Sequence, residues 1–173
     1  FYLKTKKEKL SKDSEKDKIM TPLYKKYSHS EFDENGVLNK FTLNCPDNFN
    51  FAYDVDDEIA KEEPEKTALV WCDVEGNEKT IKFGEMSELS SKAANFLYSQ
   101  GIRKGDRVMV ILKRHYEYWY TVLALHKIGA ILIPATFMLT AKDIIYRVDS
   151  ADVKAIISAD DERLSESILA AKA

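Results

Sequence analysis

The chain has 173 residues, 45% of them hydrophobic, and a formal net charge of -3, values typical of one globular domain with a sizeable core. No run approaches the roughly 18 uninterrupted apolar residues of a membrane span, and the N-terminal residues lack the apolar stretch of a secretory signal. Cys45 and Cys72 show no CxxC spacing and no histidine at metal-ligand distance, so we expect two reduced thiols in a cytoplasmic protein.

A charged N-terminal arm, residues 1–30, contains nine lysines and four acidic residues, a local charge of +5. The lysines alternate with Glu8, Asp13, Glu15 and Asp17, without an arginine cluster or interleaved aromatic side chains. This pattern favours a solvated or helical arm, and we predict no nucleic-acid partner. An arm that docks on nucleic acid is the less favoured alternative.

Residues 31–53 are predicted to form an extended surface segment. Asn35-Gly36 and Cys45-Pro46-Asp47-Asn48 are turn signals, and the surrounding sequence from 29 to 50 is loop-like. We expect three aromatic side chains to anchor the segment on the protein surface: Phe41, Phe49 and Phe51.

An α/β domain is predicted from residue 54 to residue 173. Asp54 can cap a short helix at 55–62, which Pro64 ends. The β-prone runs 67–72 and 79–83 flank a turn and predict a hairpin at the edge of a sheet.

Beyond the hairpin, helices and strands alternate. The apolar spacing predicts helices at 85–100, 116–127, 141–149 and 162–171, and strands at 107–112, 130–134 and 153–159. Such alternation implies a mostly parallel sheet with helices on both faces. Gly101 and Gly129 are expected to end the first two of these helices in the left-handed conformation.

The candidate catalytic residues form no recognisable motif. The six glycines make neither of the phosphate-binding patterns, and no GxSxG is present, so Ser158 or Cys72 could meet His115 or His126 only through folding. We expect His126 to be half-buried, with its ring nitrogens satisfied by hydrogen bonds. We interpret the acidic run at residues 160–162 as a helix cap rather than a cation site. The aromatic run at residues 116–120 is expected to pack in the core. These patterns predict a fold but no reaction.

Three sequence elements, in order, carry a family resemblance. They are Ile81-Lys-Phe83-Gly-Glu85-Met86; Gly101-Ile-Arg-Lys-Gly105-Asp106-Arg107-Val108; and Lys127-Ile-Gly-Ala-Ile-Leu-Ile-Pro134-Ala-Thr136, which leads into Asp143-Ile-Ile-Tyr146-Arg147. Together with Asn48-Phe-Asn-Phe-Ala-Tyr53-Asp54, they resemble the AMP-forming acyl-CoA synthetases, especially the medium-chain and acetyl-CoA-synthetase-like enzymes. The resemblance spans roughly residues 45–160.

The resemblance implies the N-terminal portion of the adenylate-forming fold, an incomplete domain truncated at its C-terminus. It also implies an enzyme that converts a short- or medium-chain carboxylic acid, ATP and CoA into acyl-CoA, AMP and pyrophosphate through an acyl adenylate. The family requires Mg²⁺. Its phosphate loop and its adenylation lysine follow the matched region, so we expect this chain alone to be inactive, with no catalytic residue and no bound cofactor.

One site residue follows from the resemblance. In the medium-chain enzymes a polar residue just after the Pro-x-Thr run touches CoA, and Met138 occupies the matching position. Methionine could pack against the pantetheine arm but cannot replace a side-chain hydrogen bond, and plain packing is the favoured alternative. Lys142 and Arg163 could meet CoA phosphates, without support from a motif. A non-catalytic CoA-binding or interaction module on the same scaffold stays open, and the sequence predicts no oligomeric state.

Overall fold

The computed structural model describes residues 23–172. The chain divides into two compact units, one ending at Asp47 and the other beginning at Asn48. Most of the predicted charged arm lies outside the described residues. Within residues 23–172 no helix is long and apolar enough to cross a membrane.

The first unit contains a short helix and a β-hairpin. Helix α1 (Tyr24–Tyr27) leads into strand β1 (Ser28–Phe32), which pairs antiparallel with β2 (Leu38–Leu43). The Asp33 carboxylate accepts hydrogen bonds from the backbone N–H groups of Asn35 and Val37, both at 2.9 Å, and Gly36 takes a positive φ of 77°. These interactions close the turn between the strands.

The loop-like prediction for residues 29–50 is therefore wrong over β1 and β2. Asn35-Gly36 was identified as a turn, but the flanking residues lack the strict apolar alternation that would identify strands. Of the three aromatic side chains expected to anchor the segment, Phe41 is 55% exposed, Phe49 is half-buried, and Phe51, although 52% exposed, packs edge-on against His126. The boundaries proposed for the arm and the extended segment stay predictions.

The second unit opens with a helical segment that starts earlier than predicted. A π-helical stretch (Ala52–Asp57) runs directly into α2 (Glu58–Glu62). Asn50 caps it, since its Oδ1 accepts from the Ala52 N–H at 3.0 Å. Asp54 lies inside this segment, and its carboxylate accepts from the Asn50 N–H at 2.7 Å.

Strands β3 (Thr67–Cys72) and β4 (Glu78–Lys82) form the predicted antiparallel hairpin. Among the described residues they make a two-stranded sheet of their own rather than the edge of the parallel sheet. The reason is that β4 runs straight into the next helix, and its fully buried Ile81 packs against Met86 and Leu123 of two helices. The hairpin is held by side-chain packing instead of by a further strand.

The remaining elements alternate as predicted. They are α3 (Phe83–Ser99), β5 (Arg107–Ile111), α4 (Glu117–Ile128), β6 (Ile131–Pro134), α5 (Ala141–Ala151), β7 (Val153–Ser158) and α6 (Glu162–Lys172). The three strands are parallel in the order β6-β5-β7. Gly101 and Gly129 have φ values of 87° and 71°, so both adopt the predicted left-handed conformation.

The central strand β5 has a core on each side. Val108 and Val110 belong to one buried cluster and Met109 and Ile111 to another, as expected when successive side chains point to opposite faces of a sheet. Helices α3 and α4 cover the first face, and α5 and α6 cover the second, through Ala94, Leu97, Ala124, Leu125, Ile144 and Leu164. The predicted α/β architecture with helices on both faces is confirmed.

A buried lysine joins three helical segments of this unit. The Lys127 side chain is only 2% exposed, and its Nζ lies 2.9 Å from the Asp57 carboxylate. It also donates to the Ser91 hydroxyl at 2.9 Å and to the Ser87 carbonyl at 3.3 Å. The Ser87 hydroxyl donates to the same Asp57 oxygen at 2.7 Å. The ammonium group is thus fully surrounded by acceptors, as burial of a charge requires.

Replacing Lys127 by alanine should lower the free energy of unfolding by about 3–5 kcal/mol, because it leaves the Asp57 carboxylate buried without its cation. Chemical denaturation followed by circular dichroism measures the change. The matched control is Lys92→Ala, which removes an exposed ion pair with Glu88 and should have almost no effect. Equal losses for the two variants would contradict the role given to Lys127.

Candidate functional site

The carboxyl ends of the three parallel strands meet at one edge of the sheet. The segments that leave this edge are residues 112–115 after β5, 135–140 after β6 and 159–161 after β7. In open α/β sheets, ligands bind in the crevice outside the carboxyl ends of the strands. We refer to these three segments together as the carboxyl-edge site.

A cavity of about 440 Å³ opens at the carboxyl-edge site. Its polar lining comes from Lys113, Arg114 and Thr136, and its apolar lining includes Phe137 and Tyr118. A neighbouring cavity of about 320 Å³ shares Lys113 and Arg114. A concave, mostly apolar surface with a few converging polar groups is what small-molecule sites in proteins offer.

Lys113 links the ends of β5 and β7. Its backbone has a φ of 48°, unusual for a residue other than glycine, and its Nζ lies 2.5 Å from the Asp161 carboxylate. The same ammonium group lies 5.0 Å from the centre of the Phe137 ring. The hydrogen bond from Lys113, together with the one from the Leu164 backbone N–H, holds the pKa of Asp161 below its usual value.

The Leu164 contact also tests the prediction that the acidic run at residues 160–162 caps a helix. The Asp161 carboxylate accepts from the Leu164 N–H at 3.0 Å, which is the cap at the start of α6 that the sequence predicted. Among residues 23–172 no group of three or more His, Cys, Asp or Glu side chains could hold a metal ion.

Arg114 is the cation of this site that is available to a ligand. Its carbonyl oxygen accepts a hydrogen bond from the Trp71 indole N–H at 2.6 Å, so the hairpin of β3 and β4 positions the backbone here. The Trp71 ring also packs edge-on against Tyr116 at 5.4 Å. Within the described part of the chain the guanidinium makes no ion pair, and such a group recognises carboxylate or phosphate through two parallel hydrogen bonds.

The structure places Met138 on the loop beside this cavity but not among its lining residues. The side chain is 66% exposed, and both its contact with CoA and plain packing stay predictions. Its backbone N–H donates to the Thr136 hydroxyl at 3.3 Å. Arg163 donates to the Phe137 carbonyl at 3.1 Å and so holds the same loop. Lys142 is exposed on α5.

The candidate nucleophiles and bases stay apart. Cys72 and His115 are exposed, and among the described residues no hydrogen bond joins Cys72 or Ser158 to a histidine. His126 is half-buried as expected, and its Nδ1 has no hydrogen-bond partner among the described residues. Burial lowers the pKa of His126. The arrangement can bind and orient an anion, but it contains no assembled acid-base pair.

Sequence reasoning missed the buried pair of Lys127 and Asp57. A signal was present, since Lys127 lies four residues after Leu123 and three after Ala124, both of which face the core. A lysine on the apolar face of a helix needs a buried hydrogen-bond acceptor. The helical periodicity does not show that this acceptor is Asp57, which lies 70 residues earlier in the chain.

Comparison with known proteins decides the family. A model of the AMP-binding enzyme family matches residues 56–173, and the match includes β3 to β7 and the carboxyl-edge site. The chain belongs to the AMP-binding enzyme family. The resemblance to AMP-forming acyl-CoA synthetases, predicted from the three sequence elements, is confirmed.

Curated relatives of this AMP-binding chain include two mammalian enzymes. The chain is 39% identical over 131 residues to acyl-coenzyme A synthetase ACSM4, mitochondrial, of Homo sapiens, covering 72% of the chain and 23% of the relative. It is 40% identical over 142 residues to acyl-coenzyme A synthetase ACSM3, mitochondrial, of Rattus norvegicus, covering 79% of the chain and 24% of the relative. The chain spans about a quarter of the length of these relatives.

Solved structures show the same fold. The acyl-CoA synthetase of Brucella canis superposes with a TM-score of 0.64 at 22% identity, covering 70% of this chain and 22% of that one, which supports the fold alone. The N-terminal subdomain of Klebsiella oxytoca NpsA superposes with a TM-score of 0.56 at 30% identity, covering 62% of this chain and 27% of that one. The predicted adenylate-forming fold is therefore confirmed for this AMP-binding chain.

Arg114→Gln should weaken the binding of pyrophosphate, used as a probe anion, by roughly two- to fivefold, because an exposed charge contact contributes less than about 1 kcal/mol. Isothermal titration of the 173-residue chain at low salt measures this affinity. The control is Arg147→Gln, whose guanidinium donates to a carbonyl within α5 and does not line the cavity. Unchanged affinity in Arg114→Gln would rule out an anion contact at this residue.

Proposed function

We propose that the chain is the N-terminal part of an ATP-dependent acyl-CoA synthetase. The observation that carries the proposal is the family match over residues 56–173, joined to 39–40% identity with proteins described as acyl-coenzyme A synthetases. In the intact enzyme a carboxylic acid and ATP would form an acyl adenylate and release pyrophosphate. The thiol of CoA would then take the acyl group and release AMP.

The described residues contribute a scaffold and an anion-binding edge to this reaction. The cavity at the carboxyl-edge site presents Arg114 and the Thr136 hydroxyl to a ligand, while Lys113 is neutralised by Asp161. All three substrates of the proposed reaction, ATP, CoA and the acid, carry anionic groups that such an edge can orient. No residue here has the partners of a nucleophile or a general base, so we assign this part binding and positioning only.

Mg²⁺ is implied by the family because it neutralises phosphate oxygens as pyrophosphate leaves. The described residues do not fit a resident magnesium site, since no cluster of three acidic or other ligating side chains lies among them. A short- or medium-chain acid is the substrate class that we propose, on the strength of the sequence elements shared with the medium-chain enzymes.

The compartment is a separate question from the reaction. Two cysteines without CxxC spacing favoured the cytoplasm, whereas the relatives named above are described as mitochondrial. We propose that the intact protein follows these relatives, and a fluorescent fusion of the complete coding region tests it. Diffuse fluorescence throughout the cytoplasm would instead support the cytoplasmic location predicted from the sequence.

The protein encoded by the complete reading frame should exchange labelled pyrophosphate into ATP only when a carboxylic acid is present, and the 173-residue chain should not. A series of straight-chain acids from acetate upward then locates the preferred length. A matched reaction without acid is the control. Absence of exchange with every acid, from a folded protein, would favour the non-catalytic CoA-binding module instead.

We propose that Met138 contacts CoA in the intact enzyme, and its exposure on the loop after β6 supports this assignment. Met138→Ala should raise the KM for CoA by a few-fold, because packing of one methionine contributes on the order of 1 kcal/mol, and should leave pyrophosphate exchange unchanged. Leu169→Ala, equally exposed on α6, is the control. Equal KM values for CoA in the two variants would count against Met138.

A further inference from the structure

A third cavity lies between α3, α4, the π-helical segment and the hairpin. It has a volume of about 340 Å³ and is lined mainly by apolar side chains: Ala68, Leu69, Phe83, Met86, Val122 and Leu123. Its lining residues are more exposed at the mouth than at the floor. Phe51 and Trp119 are each 52% exposed at the mouth, whereas Met86 and Leu123 are buried at the floor.

Two polar atoms of this cavity are buried without a partner. They are Oδ2 of Asp56 and Nδ1 of His126, and both residues line the cavity. Asp56 is only 6% exposed. A buried carboxylate oxygen that lacks a hydrogen bond costs considerable free energy, so native proteins satisfy such groups with a ligand or with ordered water.

The charges around Asp56 show what would satisfy it. Asp56 and Asp57 are adjacent, and the buried Lys127 lies 2.9 Å from Asp57, which it neutralises. When all three groups are ionised, the two carboxylates and the one ammonium group have a combined charge of -1. That charge lies on Asp56, which lines the cavity. A ligand with a single positive charge would balance it.

The walls of the cavity suit an organic cation rather than a metal ion. Phe51, Phe83 and Trp119 contribute aromatic rings, and Phe51 packs edge-on against His126 with ring centres 6.4 Å apart. Aromatic faces attract ammonium groups and also bind apolar rings. A metal ion would need several more oxygen or nitrogen ligands, and the rest of the lining is apolar.

We propose that this cavity binds a small aromatic amine, with its ammonium group on the Asp56 carboxylate and its ring between Phe51 and Trp119. None of its residues lines the 440 Å³ cavity of the carboxyl-edge site, and Trp119 alone also lines the neighbouring 320 Å³ cavity. His126 Nδ1 accepts from a second N–H of the ammonium group or from a water that the ligand retains.

Phenethylamine is the probe, and the 173-residue chain is the target. The amine should bind the unmodified chain, whereas 2-phenylethanol, which has the same ring without the charge, should bind at least about tenfold more weakly. Isothermal titration measures both affinities. Shifts of the Leu69 and Met86 methyl resonances in NMR spectra locate the ligand, since these residues line this cavity and neither of the two cavities at the carboxyl edge.

Asp56→Asn keeps the shape of the side chain and removes its charge, so it should reduce the affinity for phenethylamine at least about tenfold while leaving that for 2-phenylethanol unchanged. Asp149→Asn, an exposed substitution on α5, is the matched control and should bind the amine normally. Phe51→Leu removes an aromatic wall at the half-exposed mouth and should weaken both ligands. Circular dichroism verifies that each variant is folded.

The pH dependence supplies an independent check. Burial, and then the neighbouring charge of Asp57, raises the pKa of Asp56 to about 6, against the opposing effect of Lys127. Amine binding needs the ionised carboxylate, so affinity should rise as the pH increases through about 6 and then level off. His126 is the other titratable group that lines the cavity, and its protonation at low pH acts in the same direction. Asp56→Asn should lose most of this dependence.

The proposal is overturned if phenethylamine and 2-phenylethanol bind equally, or if Asp56→Asn binds the amine as well as the unmodified chain does. It is also overturned if neither compound binds, in which case ordered water satisfies Asp56. Because these measurements use the 173-residue chain without ATP, CoA or acid, their failure would leave the synthetase proposal untouched.

Discussion

The buried ion pair between Lys127 and Asp57 is the constraint on which the second unit depends. It joins the π-helical segment to the end of α4, and the hydroxyl of Ser91 and the carbonyl of Ser87 bring in α3. Taking both charges out of water is costly unless every donor of the ammonium group finds an acceptor. The relative placement of these three elements is therefore specified more narrowly than apolar packing alone would require.

Helix α4 contributes residues to all three cavities. Helix α4 starts beside the carboxyl-edge site, where Tyr118 lines the cavity, and ends at the ion pair, with Trp119 and His126 along the way. Since Lys127 pairs directly with Asp57, the adjacent Asp56 has no direct ion pair among the described residues. The ion pair of Lys127 and Asp57 thus orders the scaffold. The adjacent residue, Asp56, has a buried carboxylate oxygen without a hydrogen-bond partner.

Family membership and chemistry are distinct conclusions here. The match to AMP-binding enzymes covers most of the second unit, and the solved relatives share its α/β layers. Many unrelated functions occur on similar α/β scaffolds, so the reaction has to be argued from side chains at a site. In this chain those side chains are the Arg114 guanidinium and the Thr136 hydroxyl at the carboxyl edge, for which we propose a role in binding and positioning anions.

The sequence by itself determined the alternation of helices and strands, the two glycine-terminated helices, the acidic cap at Asp161 and the family, because each depends on residues close together along the chain. Only the tertiary structure decided that Lys127 meets Asp57, that Trp71 holds the Arg114 carbonyl, and that Asp56 and His126 share a cavity without partners. These contacts join residues 40 or more positions apart. Local periodicity shows which face of a helix is buried, but the identity of the group packed against it is a property of the folded chain.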